Sequence, residues 1–182
     1  MKQILLAAAM LLTINVMAQT GKSDYDVSKD SENGAVVFKG QMSFADLSKE
    51  SSFSWLKRGS DAYKPDTNAV KYLKKNLGNY EIVVFMGTWC DDSQNLIPKF
   101  YKLLQVIGYP MDKLTMYGVD RAKTAKYIEH KLYKIEKVPT IIVYKNHSEL
   151  GRVVELVKKS IETDLINIIK DDVEKQAAAQ QR

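Results

Sequence analysis

The only cysteine of the sequence, Cys90, is the residue best suited to covalent chemistry. It follows Trp89 and precedes Asp91, Asp92 and Ser93, shortly after an apolar run. If a helix begins here, its unpaired N–H groups and partial positive charge favour the thiolate form of the cysteine. An exposed thiolate attacks disulfides, so the sequence predicts a nucleophile for thiol-disulfide exchange. A lone cysteine also excludes an internal disulfide and any metal site built from several thiolates.

The neighbours of Cys90 leave its reactivity open. The carboxylates of Asp91 and Asp92 oppose ionisation of the thiol by Coulomb repulsion, although aspartates are also ordinary residues in a first helical turn. Ser93 could donate a hydrogen bond to the sulfur, or it could cap the helix. Cys90 could instead be an inert core residue, but the two carboxylates after it make this a poor place to bury a side chain. We therefore expect Cys90 to be exposed and functional.

A strand, a tight turn and a helix must position Cys90. Residues 81–86 are almost continuously apolar, as in a strand buried on both faces, and a Gly-Thr pair interrupts the run. Apolar residues then recur at helical spacing over residues 96–107. Pro98 lies in this stretch and costs about 3 kcal/mol inside an isolated helix, because it removes a hydrogen bond and clashes with the preceding turn. Either the helix accommodates Pro98 in its interior, or it begins there and leaves Cys90 in a loop.

The remaining apolar patterns predict further strands and helices. Apolar runs rich in β-branched residues indicate strands, the first of them at a sheet edge, and apolar residues at helical spacing indicate helices. The strands are expected at residues 35–38, 114–119, 140–144 and 150–156, and the helices at 43–56, 65–77, 123–133 and 160–170. This order predicts an α/β fold with a central mixed β-sheet flanked by helices, together with an N-terminal helical extension.

The first 18 residues have the pattern of a secretory signal peptide. Lys2 supplies positive charge, residues 4–12 are apolar, and Val16 and Ala18 occupy the positions that require small side chains before a cleavage site. The alternative is an uncleaved membrane anchor, but a span needs roughly 20 apolar residues and this stretch is shorter and partly polar. We expect a cleaved signal and an exported protein, periplasmic or secreted, without stable membrane insertion.

The chain is expected to divide into five segments. They are a signal peptide (1–18), a flexible leader (19–34), an N-terminal extension with the first strand and helices (35–80), a core (81–170) and a frayed polar tail (171–182). The leader is polar and without a hydrophobic period, and the tail is rich in Ala and Gln.

Composition and charge exclude several classes of protein. The 182 residues are 45% hydrophobic, which provides the core of one globular domain and excludes a disordered or fibrous chain. The 27 basic and 22 acidic residues are interspersed and leave a net charge of only +5, so no nucleic-acid partner is expected. The two histidines, His130 and His147, lie far apart, and no metal site or organic cofactor is expected.

The sequence around Cys90 resembles the active-site strand and helix of the thioredoxin superfamily. Trp89 and Cys90 fall on the family's Trp-Cys pair, and Pro98, eight residues after Cys90, falls on the proline of the family's active-site helix. A later segment resembles the family's cis-proline loop and consists of Val138, Pro139 and Thr140. The resemblance covers roughly residues 81–170. With the expected export signal and the Trp-Cys-Asp-Asp-Ser (CxxS) site, the chain is similar to thioredoxin-like proteins exported by Bacteroidetes-type bacteria.

The resemblance implies a thioredoxin fold and a role for each site residue. Cys90 would attack a substrate disulfide, Trp89 would form one wall of the site, and Ser93 would support the thiolate. The loop that contains a cis Pro139 would bind the substrate backbone through the N–H and C=O groups of Val138. The implied partners are proteins that contain disulfides or thiols.

Two departures from the family pattern change the expected chemistry. Ser93 replaces the second cysteine, so Cys90 can form a mixed disulfide but cannot resolve it alone. Val84 stands where the family's reductants often carry a buried acid. This suits isomerisation, or handling of mixed disulfides with a second thiol such as glutathione. Two alternatives stay open, a non-catalytic peptide-binding or chaperone-like module and a dimer linked through Cys90.

Overall fold

The computed structural model describes residues 23–179, so the expected signal peptide lies outside the described residues, as do positions 19–22 of the expected leader and the last three residues. Within this range there are six strands, six α-helices and three short 3-10 turns. No helix in the described range is both long and apolar enough to span a bilayer.

The six strands form one mixed sheet, which confirms the predicted fold class. Their bounds are β1 Asp24–Lys29, β2 Val36–Met42, β3 Glu81–Met86, β4 Leu114–Gly118, β5 Thr140–Lys145 and β6 Ser148–Val154. The spatial order is β1-β2-β4-β3-β5-β6. Strands β3 and β4 are parallel and every other neighbouring pair is antiparallel. The continuous apolar sequence of β3 is explained by its central place, with strands on both sides and side chains buried on both faces.

The longer helices cover one face of the sheet. Their bounds are α1 Phe44–Lys49, α2 Ser54–Ala62, α3 Thr67–Asn76, α4 Asp91–Ile107 and α6 Ile161–Ala179, and the single-turn helix α5 is Glu129–Leu132. Ile82 and Val84 of β3 face the core shared with the longer helices. Val83 and Phe85 face a smaller cluster on the opposite side. That cluster is covered by the segment 119–138, in which α5 is the only helix.

Helix α4 begins immediately after Cys90 and continues through Pro98. The alternative in which the helix starts at Pro98 is therefore wrong. The helix ends at Gly108, whose φ of +68° is the left-handed conformation that glycine adopts without strain. The predicted strand, turn and helix around Cys90 are thus present, with Cys90 at the N-cap.

Side-chain caps fix the starts of α1, α3 and α6, as the sequence indicates. The Ser43 hydroxyl and the Asp46 carboxylate form a capping box at α1. The Asp66 carboxylate accepts the Ala69 N–H at α3, over 2.8 Å. At α6 the Ser160 hydroxyl accepts the Thr163 N–H, over 3.2 Å.

The N-terminal part differs from the prediction in three ways. Residues 24–29 of the expected flexible leader form β1, because they pair with β2 and the Tyr25 ring stacks on Phe38 with centroids 4.4 Å apart. Strand β2 is consequently an interior strand and not the expected edge. The expected helix over 43–56 is divided into α1 and α2, since the Glu50 backbone is extended and its side chain caps a 3-10 turn.

The expected helix over residues 123–133 is mostly absent, and only α5 is helical. Lys123 has a φ of +60°, and the Thr124 N–H binds the Asp120 side chain over 3.0 Å, so a tight turn forms where the helix was expected to start. The Ala125 N–H then donates to Nδ1 of His130. These local and tertiary contacts override the helical spacing of the apolar residues.

The tail is not frayed at residue 171, because α6 continues to Ala179. Asp172 accepts hydrogen bonds from the Tyr80 hydroxyl and from Lys145, each over 2.7 Å, and Val173 packs against the main core. These contacts hold the helix to the sheet, and its Ala and Gln residues tolerate the helical backbone well.

The N-terminal extension shares the main core with the rest of the chain. Phe53, Trp55 and Leu56 are buried in it. A buried acid adds a polar link, since Glu162 of α6 accepts hydrogen bonds from the Tyr63 hydroxyl over 2.7 Å and from the Asp66 N–H over 3.0 Å. The extension is therefore a structural part of the domain that carries Cys90.

Helix α2 packs on α4 at Pro98, where Gly59 leaves no room for a side chain. A Cβ atom at position 59 would lie 2.7 Å from Cβ of Pro98. We expect Gly59→Ala to lower the free energy of unfolding by about 1–2 kcal/mol, because the overlap with a rigid ring exceeds the gain in helix propensity. Urea unfolding measures the change. Gly78→Ala is the control, because its Cβ would meet only an ordinary contact at 3.7 Å, and an equal loss there would contradict this account.

Candidate active site

Cys90 stands at the junction of β3 and α4, where the backbone holds it from both sides. Its N–H donates to the Gly87 carbonyl over 3.0 Å, and its own carbonyl accepts the Gln94 N–H over 2.9 Å. The side chain is half-buried, and its Sγ lies 3.5 Å from the Val138 carbonyl oxygen, to which the thiol can donate. The structure therefore brings Cys90 together with the loop 138–140, which lies some fifty residues further along the chain.

The loop itself is held by two hydrogen bonds. The Val138–Pro139 peptide bond is cis, and the Pro139 carbonyl accepts the Glu155 N–H over 2.8 Å. The Thr140 hydroxyl is buried and donates to the Lys137 carbonyl over 2.7 Å. Thr140 therefore holds the loop in place with its buried hydroxyl.

Ser93 bonds to the turn before Cys90 and not to the sulfur. Its side chain is fully buried, and Oγ accepts the Gly87 N–H over 3.2 Å. Within residues 23–179 it makes no hydrogen bond to Cys90, and no side chain there caps the start of α4. This corrects both roles that the sequence suggested for Ser93: the hydroxyl fixes the turn before Cys90.

Trp89 is almost fully covered and contributes less open surface to the site than expected. The residue is 9% exposed, and its indole N–H donates to the Val119 carbonyl over 2.8 Å. Charged groups lie over the ring, the Arg121 guanidinium at 4.7 Å from its centroid and the Lys123 ammonium at 5.6 Å. A cation over an indole is attracted by the negative face of the ring. The wall beside Cys90 is therefore an aromatic ring with basic residues packed against it.

Arg121 is held over Trp89 by acids from the turn between β1 and β2. Its guanidinium donates to both carboxylate oxygens of Asp30, over 2.7 and 2.9 Å, and forms an ion pair with Glu32 at 2.8 Å. The hydrogen bond from Arg121, with smaller contributions from the N–H groups of Asn33 and Glu32, lowers the pKa of Asp30 to about 2 against an opposing effect of desolvation. An N-terminal hairpin thus fixes a cation next to the cysteine.

Two residues that sequence reasoning missed hold the loop between β3 and α4. The buried Thr88 hydroxyl donates to the Val36 carbonyl over 2.7 Å and accepts the Phe38 N–H over 3.2 Å. The Gln94 amide donates to the Thr88 carbonyl over 2.9 Å. The position of Thr88, a polar residue between a buried strand and the Trp-Cys pair, could have indicated this role. Its partners on β2, however, lie about fifty positions earlier in the chain.

Asp91 and Asp92 are exposed in the first turn of α4. Neither side chain has a hydrogen-bond or ion-pair partner within the described residues. Their negative charges complement the positive end of the helix dipole. They also add two negative charges directly after Cys90 in the chain, whereas Arg121 and Lys123 contribute positive charges over Trp89.

The Asp30–Arg121 pair predicts a pH dependence of stability. Because the folded state lowers the pKa of Asp30, the pair stabilises the fold fully above the pKa of the unfolded chain, about 4, and this stability is lost as the pH falls to about 2. The free energy of unfolding of the wild type should therefore fall more steeply over this range than that of Asp30→Asn. Urea unfolding at several pH values measures both. Asp91→Asn is the control, and equal slopes for the wild type and Asp30→Asn would refute the prediction.

A groove of about 700 Å³ lies away from the Cys90 site. Its lining includes Met42, Phe44, Tyr101 and Leu114. Leu114 begins β4, whereas Cys90 follows the end of the parallel strand β3, so the groove is at the opposite end of the sheet. Among residues 23–179 no cluster of three or more His, Cys, Asp or Glu side chains is arranged to hold a metal ion.

The mixed sheet has a cysteine at the start of a proline-containing helix, and this cysteine faces the loop of Pro139. This combination is typical of a thioredoxin-like protein. The family model described as thioredoxin matches residues 66–171, more than half of the chain. The chain therefore belongs to the thioredoxin family, which supports a thiol-disulfide oxidoreductase-like role in general.

Two comparisons with individual proteins agree with the family. The chain is 29% identical over 86 residues to a thioredoxin of Chlamydia pneumoniae, an alignment that covers 47% of this chain and 78% of that protein. The fold is similar to that of a Pseudomonas aeruginosa protein of unknown function, with a TM-score of 0.55 and 12% identity, over 74% of this chain and 93% of the other. At that identity the second likeness concerns the fold alone.

Proposed function

We propose that the protein is an exported thiol-disulfide exchange protein that works with a single cysteine, as an isomerase or in the handling of mixed disulfides. The observation that carries this proposal is the half-buried Cys90 at the start of α4, with Sγ 3.5 Å from the Val138 carbonyl and a serine in place of a second thiol. The half-buried thiol supports an attack on a disulfide, and the sequence holds no second thiol to complete a reduction.

The reaction balances without a second thiol in the protein. The Cys90 thiolate attacks one sulfur of a substrate disulfide, a Cys90–substrate disulfide forms, and the other sulfur leaves as a thiolate that takes a proton from water. A second substrate thiolate, or glutathione, then attacks the mixed disulfide and releases Cys90. When the attacking thiol belongs to the substrate, no net electrons are transferred and the disulfide is rearranged. When it is glutathione, a disulfide between substrate and glutathione forms as Cys90 is released. A second glutathione thiolate then attacks that bond, so the substrate is left with two thiols and glutathione disulfide is the oxidised product.

The surroundings of Cys90 suit a protein substrate. The Val138 N–H has no hydrogen-bond partner among residues 23–179, and in the proposed mode it pairs with a strand of substrate beside the sulfur. Leu156, in the loop after β6, is 69% exposed. A groove of about 170 Å³ runs between that loop and α4, with Leu156, Asp92 and Tyr63 in its lining. It has room for one side chain of a bound polypeptide.

The test compares two reactions of the purified protein. With a scrambled-disulfide protein and a glutathione buffer, we expect recovery of the native disulfides to be accelerated. With insulin and only the reduced protein present, we expect formation of mixed disulfide and no catalytic turnover. Turnover without an added thiol would contradict the single-cysteine mechanism. Binding of unfolded peptides without any exchange would favour the alternative function, a non-catalytic peptide-binding module.

Export rests on the sequence of the first 18 residues, which lie outside the described range. The charged start, the apolar run and the residues before Gln19 support cleavage after Ala18. N-terminal sequencing of the protein from an exporting bacterial host tests this. A mature chain that starts at Gln19 is expected. A chain that still begins at Met1 and stays in the cytoplasm would contradict export.

A further inference from the structure

We propose that Arg121 is a positioning residue of the Cys90 site, whose charge, fixed by the acids of the β1–β2 turn, increases the reactivity of the cysteine. The inference deepens the proposed exchange function and rests on it for its biological meaning. The residues involved lie in three separate parts of the sequence, so only the fold reveals them.

The geometry places the cation with little freedom. The Arg121 guanidinium lies 4.7 Å from the centroid of Trp89, the residue before Cys90. Both carboxylate oxygens of Asp30 hold it from a position 91 residues earlier in the chain. Asp30 is itself fixed, because its side chain is 4% exposed and Oδ1 accepts the N–H groups of Glu32 and Asn33, over 3.1 and 3.0 Å. An arginine with a bidentate partner keeps its orientation better than a free side chain would.

The charges around Cys90 give this cation a definite effect. Asp91 and Asp92 follow the sulfur on α4, and the Lys137–Glu155 ion pair lies beside the loop of Pro139. Lys123 lies over Trp89 next to Arg121. The pKa of Arg121 is raised, first by its hydrogen bonds with Asp30, and the charge of Cys90 contributes in the same direction. Since electrostatic attraction acts on both partners, Arg121 favours the negatively charged sulfur and counters the two carboxylates.

Three charge changes separate this electrostatic effect from a purely structural one. Arg121→Met removes the cation and should slow the alkylation of Cys90 about threefold, the size of one partly screened charge. Asp30→Asn leaves the cation less neutralised and should accelerate alkylation about twofold. Both changes break the same ion pair, so a structural role would shift the rate in one direction only. Arg121→Lys keeps the charge and should restore most of the wild-type rate.

A milder variant keeps the test valid if Asp30→Asn does not fold. The Glu32 side chain is 66% exposed and pairs with Arg121 through a different nitrogen from those that bind Asp30. Glu32→Gln therefore leaves the Asp30–Arg121 contact intact and should also accelerate alkylation. Circular dichroism and urea unfolding establish that each variant is folded.

The experiment measures the rate of Cys90 alkylation by iodoacetamide at neutral pH, in low salt and in 1 M salt, where the Debye length is about 3 Å. The expected result is a slower reaction for Arg121→Met, a faster one for Asp30→Asn or Glu32→Gln, and smaller differences in high salt. Equal slowing of all variants, or differences that salt does not change, would overturn the proposal. No disulfide substrate is used, so absence of exchange activity together with the expected alkylation pattern would refute the proposed function and leave this inference standing.

Discussion

Replacing Cys90 by alanine is expected to reduce thiol-disulfide exchange to the rate measured without protein. No other side chain of the chain offers a thiolate, so no residue can take over the attack on a substrate disulfide. The fold should persist, because the backbone groups of residue 90 bond to Gly87 and Gln94 independently of its side chain. We expect the free energy of unfolding to change by less than about 1 kcal/mol. The glutathione-buffered isomerisation assay and urea unfolding measure the two effects.

Cys90→Ser is the matched control for this loss. Its hydroxyl can still donate to the Val138 carbonyl in the way the thiol does, so it tests whether the sulfur chemistry, and not the hydrogen bond, is required. Both variants should be inactive and folded. Exchange activity retained by either one would show that the catalysis does not pass through Cys90.

Replacing Ser93 by cysteine is expected to create a second reacting thiol and turn the protein into a net reductant of insulin. Residue 93 stands three positions after Cys90 at the start of α4, a separation compatible with disulfide geometry. A thiol there would resolve the mixed disulfide within the same molecule, at an effective concentration in the millimolar range or above. We expect insulin reduction by the reduced variant, without an added thiol, to be at least about tenfold faster than by the wild type.

The change at position 93 also removes a buried hydrogen bond. The Ser93 hydroxyl accepts the Gly87 N–H, and its loss should cost about 1 kcal/mol of stability. Ser93→Ala loses the same hydrogen bond without gaining a thiol, so it should match the lower stability of Ser93→Cys and show no insulin reduction. If Ser93→Cys stays inert while it remains folded, the helix start does not bring the two sulfur atoms together and the assigned geometry is wrong.

The elements next to Cys90 could be predicted because their signals are local. The apolar sequence of β3 specifies a central strand, and the helical spacing after it specifies α4. Pro98 was the one conflicting signal. The packing of α2 against Pro98 at Gly59 and the burial of α4 in the main core outweigh the local cost of the proline. The sequence of α4 alone does not show these tertiary contacts.

The elements that were missed depend on distant partners. The polar strand β1 has no apolar period, and it forms because β2 offers backbone hydrogen bonds and Phe38 offers a ring to Tyr25. The apolar residues around Lys126 have helical spacing. The Lys126 ammonium, however, forms ion pairs with Asp24 and Asp26 on β1, at 2.6 and 3.0 Å. A pattern within one segment does not contain such long-range contacts.

The candidate site divides in the same way. Cys90 was identified from its residue type and position, and the loop 138–140 from the resemblance to the thioredoxin family. The structure brings Cys90 and Val138 together. Arg121 and Asp30 were not identified, since in the sequence each is an ordinary charged residue. Only the fold places Arg121 over Trp89 and Asp30 against Arg121. The orientation of Ser93 also required the structure, because the Gly87 N–H that it binds belongs to the turn before the helix.

The central claim is that Cys90 forms a mixed disulfide which only an external thiol resolves. Intact-mass spectrometry of the reduced protein mixed with oxidised glutathione tests it directly, because a single cysteine makes every disulfide adduct assignable. We predict one glutathione adduct per chain, on Cys90, that persists after removal of excess reagent and disappears when reduced glutathione is added. Absence of the adduct in the native protein, or an adduct that added glutathione leaves in place, would contradict the account.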